Sequence, residues 1–241
     1  MRLRRQSGGS LLLIGQQEEP AMALMAGAMI SVAAQLPAQG ASFYILDGSP
    51  ADSPLARVLP DVQAAIPQPV RFVEYRAVSE AMNELAGELK RRQSAAEPVT
   101  APLFVIVYGL QRYRALRKSE DFSFAARDQE AGQAADRVYA DLLREGPPVG
   151  MHVLAWADTA ACIERTLDRA SLREFDHRVL FQMSASDSSN LIDSPMANKL
   201  GMNRALAFSE EQGTLEKFRP YALPSPEWLE HVRTCLAAQH K

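Results

Sequence analysis

Several common chemistries are missing from this chain, and each absence narrows what it can be. Only two cysteines occur, Cys162 and Cys235, and neither has a partner at metal or redox spacing. Zinc ribbons, iron–sulfur sites and dithiol oxidoreductases are therefore excluded, and a reduced, cytoplasmic setting is the expectation. The four histidines, His152, His177, His231 and His240, form no metal spacing either. No G-x-S-x-G nucleophile elbow is present. No apolar run approaches the ~20 residues that a membrane-spanning helix needs. The basic start, Met1-Arg-Leu-Arg-Arg5, lacks the long apolar core of a secretory signal. Charge of one sign is scarce too: 26 Lys and Arg against 29 Asp and Glu leave a net −3. That balance gives no global pull toward nucleic acid or anionic membranes.

The chain does have ample apolar content. Hydrophobic residues make up 47% of 241 positions, enough for the core of one large domain. The first strand begins almost at once, at Leu11, which suggests a module cut from a longer protein. We expect a leader over 1–9, a main domain over 10–222, and a C-terminal helix within 223–241 that packs on it.

The organising stretch runs from Ser10 to Ser31. Leu11 to Ile14 read as a buried strand, Gly15 follows, then four polar residues, Pro20 and an Ala/Met/Leu-rich helix placed at 23–36. Strand, short loop and helix make the frame of a phosphate-binding P-loop, G-x-x-x-x-G-K-[ST]. Gly15 takes the first glycine's place, and Gln16, Gln17, Glu18 and Glu19 take the variable places. Pro20 replaces the second glycine, Ala21 the lysine and Met22 the hydroxyl residue. A P-loop works through backbone amides, a lysine that neutralises phosphate and a hydroxyl on Mg²⁺. Here two carboxylates lie where a triphosphate would, and each repulsion is on the order of a kcal/mol. The plain alternative is an ordinary strand-to-helix turn with acids favouring the helix N-terminus.

Further strands are expected at 41–47, 70–73, 102–108, 150–156, 177–183 and 203–208, with a hairpin at Gly213 leading to 215–220. Helices are expected at 51–66, 78–93, 134–145, 160–169, 190–193 and 227–238, the one at 160 capped by Asp158 or Thr159. On 78–93, Met82, Leu85 and Leu89 face inward, and Glu88, Lys90, Arg91 and Arg92 face water. The repeated strand-then-helix order means an α/β domain: a mostly parallel sheet with helices on both faces. The run Pro102 to Tyr108 is apolar throughout, as a central parallel strand requires. In a P-loop ATPase that strand ends in Asp-Glu, for Mg²⁺ and the attacking water. Here the two places hold Tyr108 and Gly109. After it comes a long polar, irregular stretch, 111–135, whose cations Arg112, Arg114, Arg117 and Lys118 suit either a nucleic-acid or protein partner, or a solvated face. A loop of that length is functional or mobile.

From 150 to 208 the pattern becomes specific. "GMHVLAWAD" is followed by "FDHRVLFQMSASDSSNLIDSPMANKLGMNRALAF". Gly150, His152, Arg178, Phe181, Ser184, Asp187, Ser188, Asp193, Ala197, Lys199, Leu200 and Gly201 match a pattern that resembles the motor domain of the FtsK/SpoIIIE family. With the strands at 11–14 and 103–108 in order, the resemblance covers about 10–220.

The resemblance implies a RecA-like P-loop NTPase fold. Family members pump double-stranded DNA as hexameric rings or drive protein export in type VII secretion. It also implies vestigial nucleotide-site positions at Gly15, Gln16, Gln17, Glu18, Glu19, Pro20, Ala21, Met22 and Tyr108, with Lys199 placed to reach a neighbour's nucleotide. The departures are concentrated where the chemistry lies. The phosphate clamp, the metal ligand and the water-positioning acid are all replaced, Asp158 falls in a Thr-Gln place, and a motif arginine is Ser189. Each lost group is typically worth a few kcal/mol of barrier. The expectation is a degenerate, non-hydrolysing domain, with no cofactor unless the altered site still takes ATP and Mg²⁺. Its partners would be other ATPase domains of the same or a longer chain, a homo-oligomeric ring, and a DNA or protein cargo. Tyr108 and Trp156 are expected to fill the vacated pocket, the alternative being that they and Gly15 line a site for a ligand bound without phosphate. The competing reading is an ATP-driven DNA translocase subunit.

Overall fold

In the computed structural model, residues 2–119 and 133–239 are described. An eight-stranded sheet runs through the molecule in the order β3-β2-β4-β5-β1-β6-β7-β8. The strands are β1 (Leu11–Ile14), β2 (Ser42–Asp47), β3 (Val70–Phe72), β4 (Leu103–Tyr108), β5 (Met151–Ala157), β6 (His177–Leu180), β7 (Ala205–Ser209) and β8 (Thr214–Phe218). The first six in that sequence pair in parallel, and β7 and β8 add an antiparallel hairpin at one edge. β1, β4 and β5 are buried along their whole length, so their apolar runs need no alternation.

Each face of the sheet carries its own core. On one side lie α1 (Glu18–Ala33), α2 (Val58–Ala65) and α8 (Pro226–Gln239), which bury Met22, Met25, Leu59 and Leu229 against Leu13, Phe104 and Trp156. On the other lie α3 (Val78–Ser94), α4 (Ala135–Glu145), α5 (Ala160–Thr166), α6 (Arg169–Arg173) and α7 (Ala185–Ile192). These helices bury Met82, Leu85, Tyr139 and Ile163 against Leu12, Val105 and Val153. The expected α/β sheet, helices on both faces, is the one found.

Residues 2–9 lie against the lower, N-terminal ends of the strands. His152 Nδ1 donates to Gly9 O at 2.6 Å, His177 Nε2 meets Arg2 O at 3.0 Å, and Asp176 N donates to Gly8 O at 3.0 Å. Burial pushes the pKa of His152 down, which keeps this core imidazole neutral.

Several expectations are corrected. The first helix starts at Glu18, five residues before the expected 23, because the two acids and Pro20 all suit a first turn. The stretch after Thr159 is two short helices: Thr159 caps α5, Leu167 breaks it in extended geometry, and Asp168 caps α6. The helix expected at 190–193 starts five residues earlier: α7 takes in the polar residues Ala185–Ser189, and its N-cap is Ser184 accepting from Asp187 N. Arg92 does not face water. It is 8% exposed, with Nε on Glu88 at 2.6 Å and Nη1 on the carbonyls of Val149 and Gly150. Most of the long loop expected after Lys118, and His240, lie outside the described residues.

Candidate functional site

Ligands of open α/β sheets bind at the carboxyl ends of the parallel strands. Here that edge gathers the end of β1 with Gly15–Gln17, the end of β2 with Asp47 and Gly48, the end of β4 with Tyr108–Arg112, and the end of β5 with Trp156 and Asp158. The sequence-derived positions Gly15, Gln16, Gln17, Glu18, Glu19, Pro20 and Tyr108 are thus brought together at one place.

The turn after β1 is short. Only Gly15, Gln16 and Gln17 separate Ile14 from the first helical residue, Glu18. A cradle that wraps a phosphate needs more free backbone than this. The residues in its latter half, Glu18 to Met22, are turns of α1 instead, and Ala21 and Met22 are fully buried in the core. Pro20 removes one of the amides that a helix N-terminus would otherwise offer an anion. Gly15 has φ 130°, and a Cβ there would meet Phe181 Cβ at 2.8 Å, so glycine is required and the turn is pressed onto β6's end.

Trp156 Nε1 donates to Gly15 O at 3.0 Å, and the Tyr108 hydroxyl donates to Glu18 O at 3.2 Å. Two carbonyl oxygens, that of Gly15 in the turn and that of Glu18, the first helical residue, thus face the aromatic pair at the strand ends. Gly15 N is already bonded to Ala157 O at 3.0 Å. Tyr108 and Trp156 are register partners on β4 and β5, and their rings stack with centroids 4.5 Å apart. Both are at most 2% exposed, so the aromatic pair fills the space under the turn. Burial above all, then the nearby carboxylates of Glu18 and Asp47, pushes the Tyr108 phenol well above its ordinary pKa. Tyr113 is raised by the same causes in the order burial, then Asp47, and its ring stacks on exposed Tyr75 at 5.8 Å. Neither phenol is a general base at neutral pH.

The turn is also held from its two sides. Asn203 N donates to Gln17 Oε1 at 3.3 Å, and Arg112 Nη2 lies 3.7 Å from Glu18 Oε1. Arg112 additionally donates through Nη1 to Gly48 O. Asp47 uses one oxygen on its own turn, accepting from Ser49 N at 2.9 Å. Gln111 Oε1 accepts from Asp158 N at 3.3 Å, tying β4's end to β5's end.

The four cations of the basic run do not act together. Arg112 belongs to the closed turn, a role that charge spacing alone could not reveal. Arg117 folds back onto Gln111 O at 2.8 Å, while the side chains of Arg114 and Lys118 are exposed. Lys199 ends the short 3-10 turn Pro195–Lys199 and is exposed, four residues before Asn203.

The residues that carried the resemblance are mostly architectural. The Arg178 guanidinium is buried and donates to the carbonyls of Phe175, Leu172 and Leu191 and to Glu210 at 2.6 Å. Burial lowers its pKa, against the raising influence of Glu210. Ser188 donates to Ser194 O and accepts from Ala197 N, fixing the bend after α7. Asp193 terminates α7 in left-handed geometry, φ 54°. Ser189 lines a polar cavity of about 450 Å³ beside Arg178, Asp168 and Asp193. Among the described residues no group of three or more His, Cys, Asp or Glu could hold a metal ion.

No family model and no curated protein matches the chain. Solved structures do. ATPases 2 and 3 of Thermomonospora curvata EccC, in complex with a signal sequence peptide, match with TM-score 0.65 and 17% identity, over 90% of this chain and 37% of that one. The pCW3 conjugation coupling protein TcpA, with ATPγS, matches with TM-score 0.66 and 11% identity, over 98% and 66%. The genome packaging NTPase B204 from Sulfolobus turreted icosahedral virus 2, in complex with AMP, matches with TM-score 0.56 and 13% identity, over 88% and 97%. The chain thus spans less than two thirds of the EccC and TcpA chains. At these identities the shared property is the fold, that of P-loop NTPase domains, consistent with the FtsK/SpoIIIE resemblance. No described helix is long and apolar enough to cross a membrane.

Proposed function

We propose that this chain is a non-hydrolysing ATPase-type domain that serves as a structural, regulatory or partner-binding module of a larger translocase or secretion assembly. One observation carries the reading: the turn that should cradle phosphate is bonded through its own carbonyl oxygens to Trp156 and Tyr108. A triphosphate entering there would meet those carbonyls and the carboxylates of Glu18 and Glu19. No lysine or hydroxyl residue stands at the helix start to offset them, since Ala21 and Met22 point into the core. The fold neighbours support the wider setting, since they are named as a type VII secretion ATPase, a conjugation coupling protein and a genome packaging NTPase.

In such an assembly this domain would stand beside active ones, in tandem or in a ring. Lys199, exposed four residues before Asn203, is the residue we assign to completing a neighbour's nucleotide site; Arg114 and Lys118 are the exposed cations we assign to a cargo or a partner. Replacing Lys199 by Ala should lower the ATPase rate of the assembled parent, and an unchanged rate removes that role.

The domain itself is tested by titration calorimetry with ATP–Mg²⁺ and a non-hydrolysable analogue, beside a steady-state ATPase assay. No heat and no turnover is the expected result. Micromolar binding without turnover would make the domain a nucleotide sensor. Turnover that disappears when the Gly15–Gln17 turn is altered would overturn the proposal and restore the ATP-driven DNA translocase.

A further inference from the structure

The sheet ends in an open edge. β8 pairs with β7 on one side, and among the described residues no further strand pairs with it on the other. Its backbone groups on that side are a template for an added strand. A second feature meets it there. Thr214, Glu216 and Phe218 of β8 line a largely apolar cavity of about 430 Å³, whose other walls include Leu24 and Ala28 of α1 and Tyr221. Side chains of an added strand that share this face have a space beside them.

We propose that β8 is a docking edge for an extended peptide segment of complementary charge, contributed by a different protein or domain. The order of residues on β8 states its chemistry. Leu215, Glu216, Lys217 and Phe218 run apolar, acidic, basic, apolar. Directly opposed residues of paired strands lie on the same face, and opposite charges there stabilise while like charges destabilise. An antiparallel partner therefore reads apolar, acidic, basic, apolar from its own N-terminus, with its acid opposite Lys217 and its base opposite Glu216. The apolar residue opposite Phe218 lies on the cavity face.

The same register argues against a second copy of this chain. Two β8 strands related by a twofold axis, centred on the strand, bring Glu216 opposite Glu216 and Lys217 opposite Leu215. Glu216 therefore opposes self-pairing while favouring a basic residue from a foreign strand.

The test uses the full chain and the peptide Ser-Val-Glu-Lys-Val-Thr-Ser, blocked at both ends. Its neutral form carries Gln in place of Glu and Lys, and a third form carries N-methyl groups on alternate amides. Amide NMR shifts report the site and the affinity. We expect shifts at Thr214–Phe218, about fivefold tighter binding of the charged peptide than of the neutral one, and loss of binding on N-methylation. In the double variant Glu216→Gln/Lys217→Gln the charged peptide should lose its advantage while the neutral peptide still binds. No shifts at β8 at millimolar peptide, equal binding of charged and neutral forms, or binding that survives N-methylation would each overturn the proposal. These outcomes are independent of nucleotide binding, so they stand apart from the test of the closed turn.

Discussion

Replacing Trp156 by Ala removes the largest side chain beneath the Gly15 turn. The indole is fully buried, stacks on Tyr108 at 4.5 Å and donates to Gly15 O at 3.0 Å. A buried Trp→Ala change costs about 3–5 kcal/mol, most of it from lost burial and the cavity left behind. The stack with Tyr108 contributes about 0.5–1.5 kcal/mol of coupling, and the hydrogen bond about 1 kcal/mol net. Both are contained in the larger figure. Trp156→Phe keeps most of the volume and loses the bond, so it should cost about 1–2 kcal/mol. Urea unfolding measures both, with slope unchanged and midpoint lowered. Far-UV circular dichroism follows the transition, because the Trp156 variants keep only the exposed Trp228 as an indole fluorophore. A double-mutant cycle pairing Trp156→Leu with Tyr108→Leu should return a coupling of about 1 kcal/mol. A loss below about 1 kcal/mol for Trp156→Ala, or no coupling, would show that the aromatic pair does not hold the turn closed.

Three other outcomes follow from the same geometry. Gly15→Ala should destabilise the domain by roughly 2 kcal/mol, since it combines a left-handed φ with the contact to Phe181; a neutral result in urea would mean the turn relaxes freely. Glu88, held at a pKa of about 2 by hydrogen bonds from Arg91 and then Arg92, stabilises the fold above its ordinary pKa near 4.5 and loses that contribution as pH falls toward 2. Solvent screening limits it to about 1 kcal/mol, and Glu88→Gln should flatten that acid limb of the stability curve. Burial pushes the Cys162 thiol up to about 11, whereas Cys235 is exposed, so a thiol reagent at neutral pH should modify one site in the folded chain, mapped to Cys235 by mass spectrometry.

Much of the architecture was legible because it rests on continuous apolar runs. Leu11–Ile14 and Leu103–Tyr108 are buried on both faces, and a strand so placed leaves no doubt in the sequence. The strand at Val70–Phe72 and the hairpin at Gly213 were equally readable. What hid was local competition. Ser184–Ser189 reads as a turn by composition, yet one serine acts as a cap and the rest are carried into α7 by Leu191 and Ile192 packing. Arg92 reads as a solvated cation and Arg112 as either a partner contact or a solvated one, yet tertiary carbonyls claim both. At the site, the sequence showed which groups had been replaced and marked Tyr108 and Trp156 as filler. It did not show that the turn's carbonyls would point at them, since that depends on where α1 begins, and helix starts are set by packing as much as by residue type.

The four bonds that hold the Gly15 turn also bear on motion. A catalytic domain needs a loop that exchanges between two arrangements, one for each state of its nucleotide. Here Trp156, Tyr108, Arg112 and Asn203 fix one arrangement from below and from both flanks. On the proposed non-hydrolysing reading, a domain whose turn is held this way would not set the timing of a working cycle. Placed beside active neighbours it would act as a strut, carrying load from one to the next and giving their strokes a fixed point to push against.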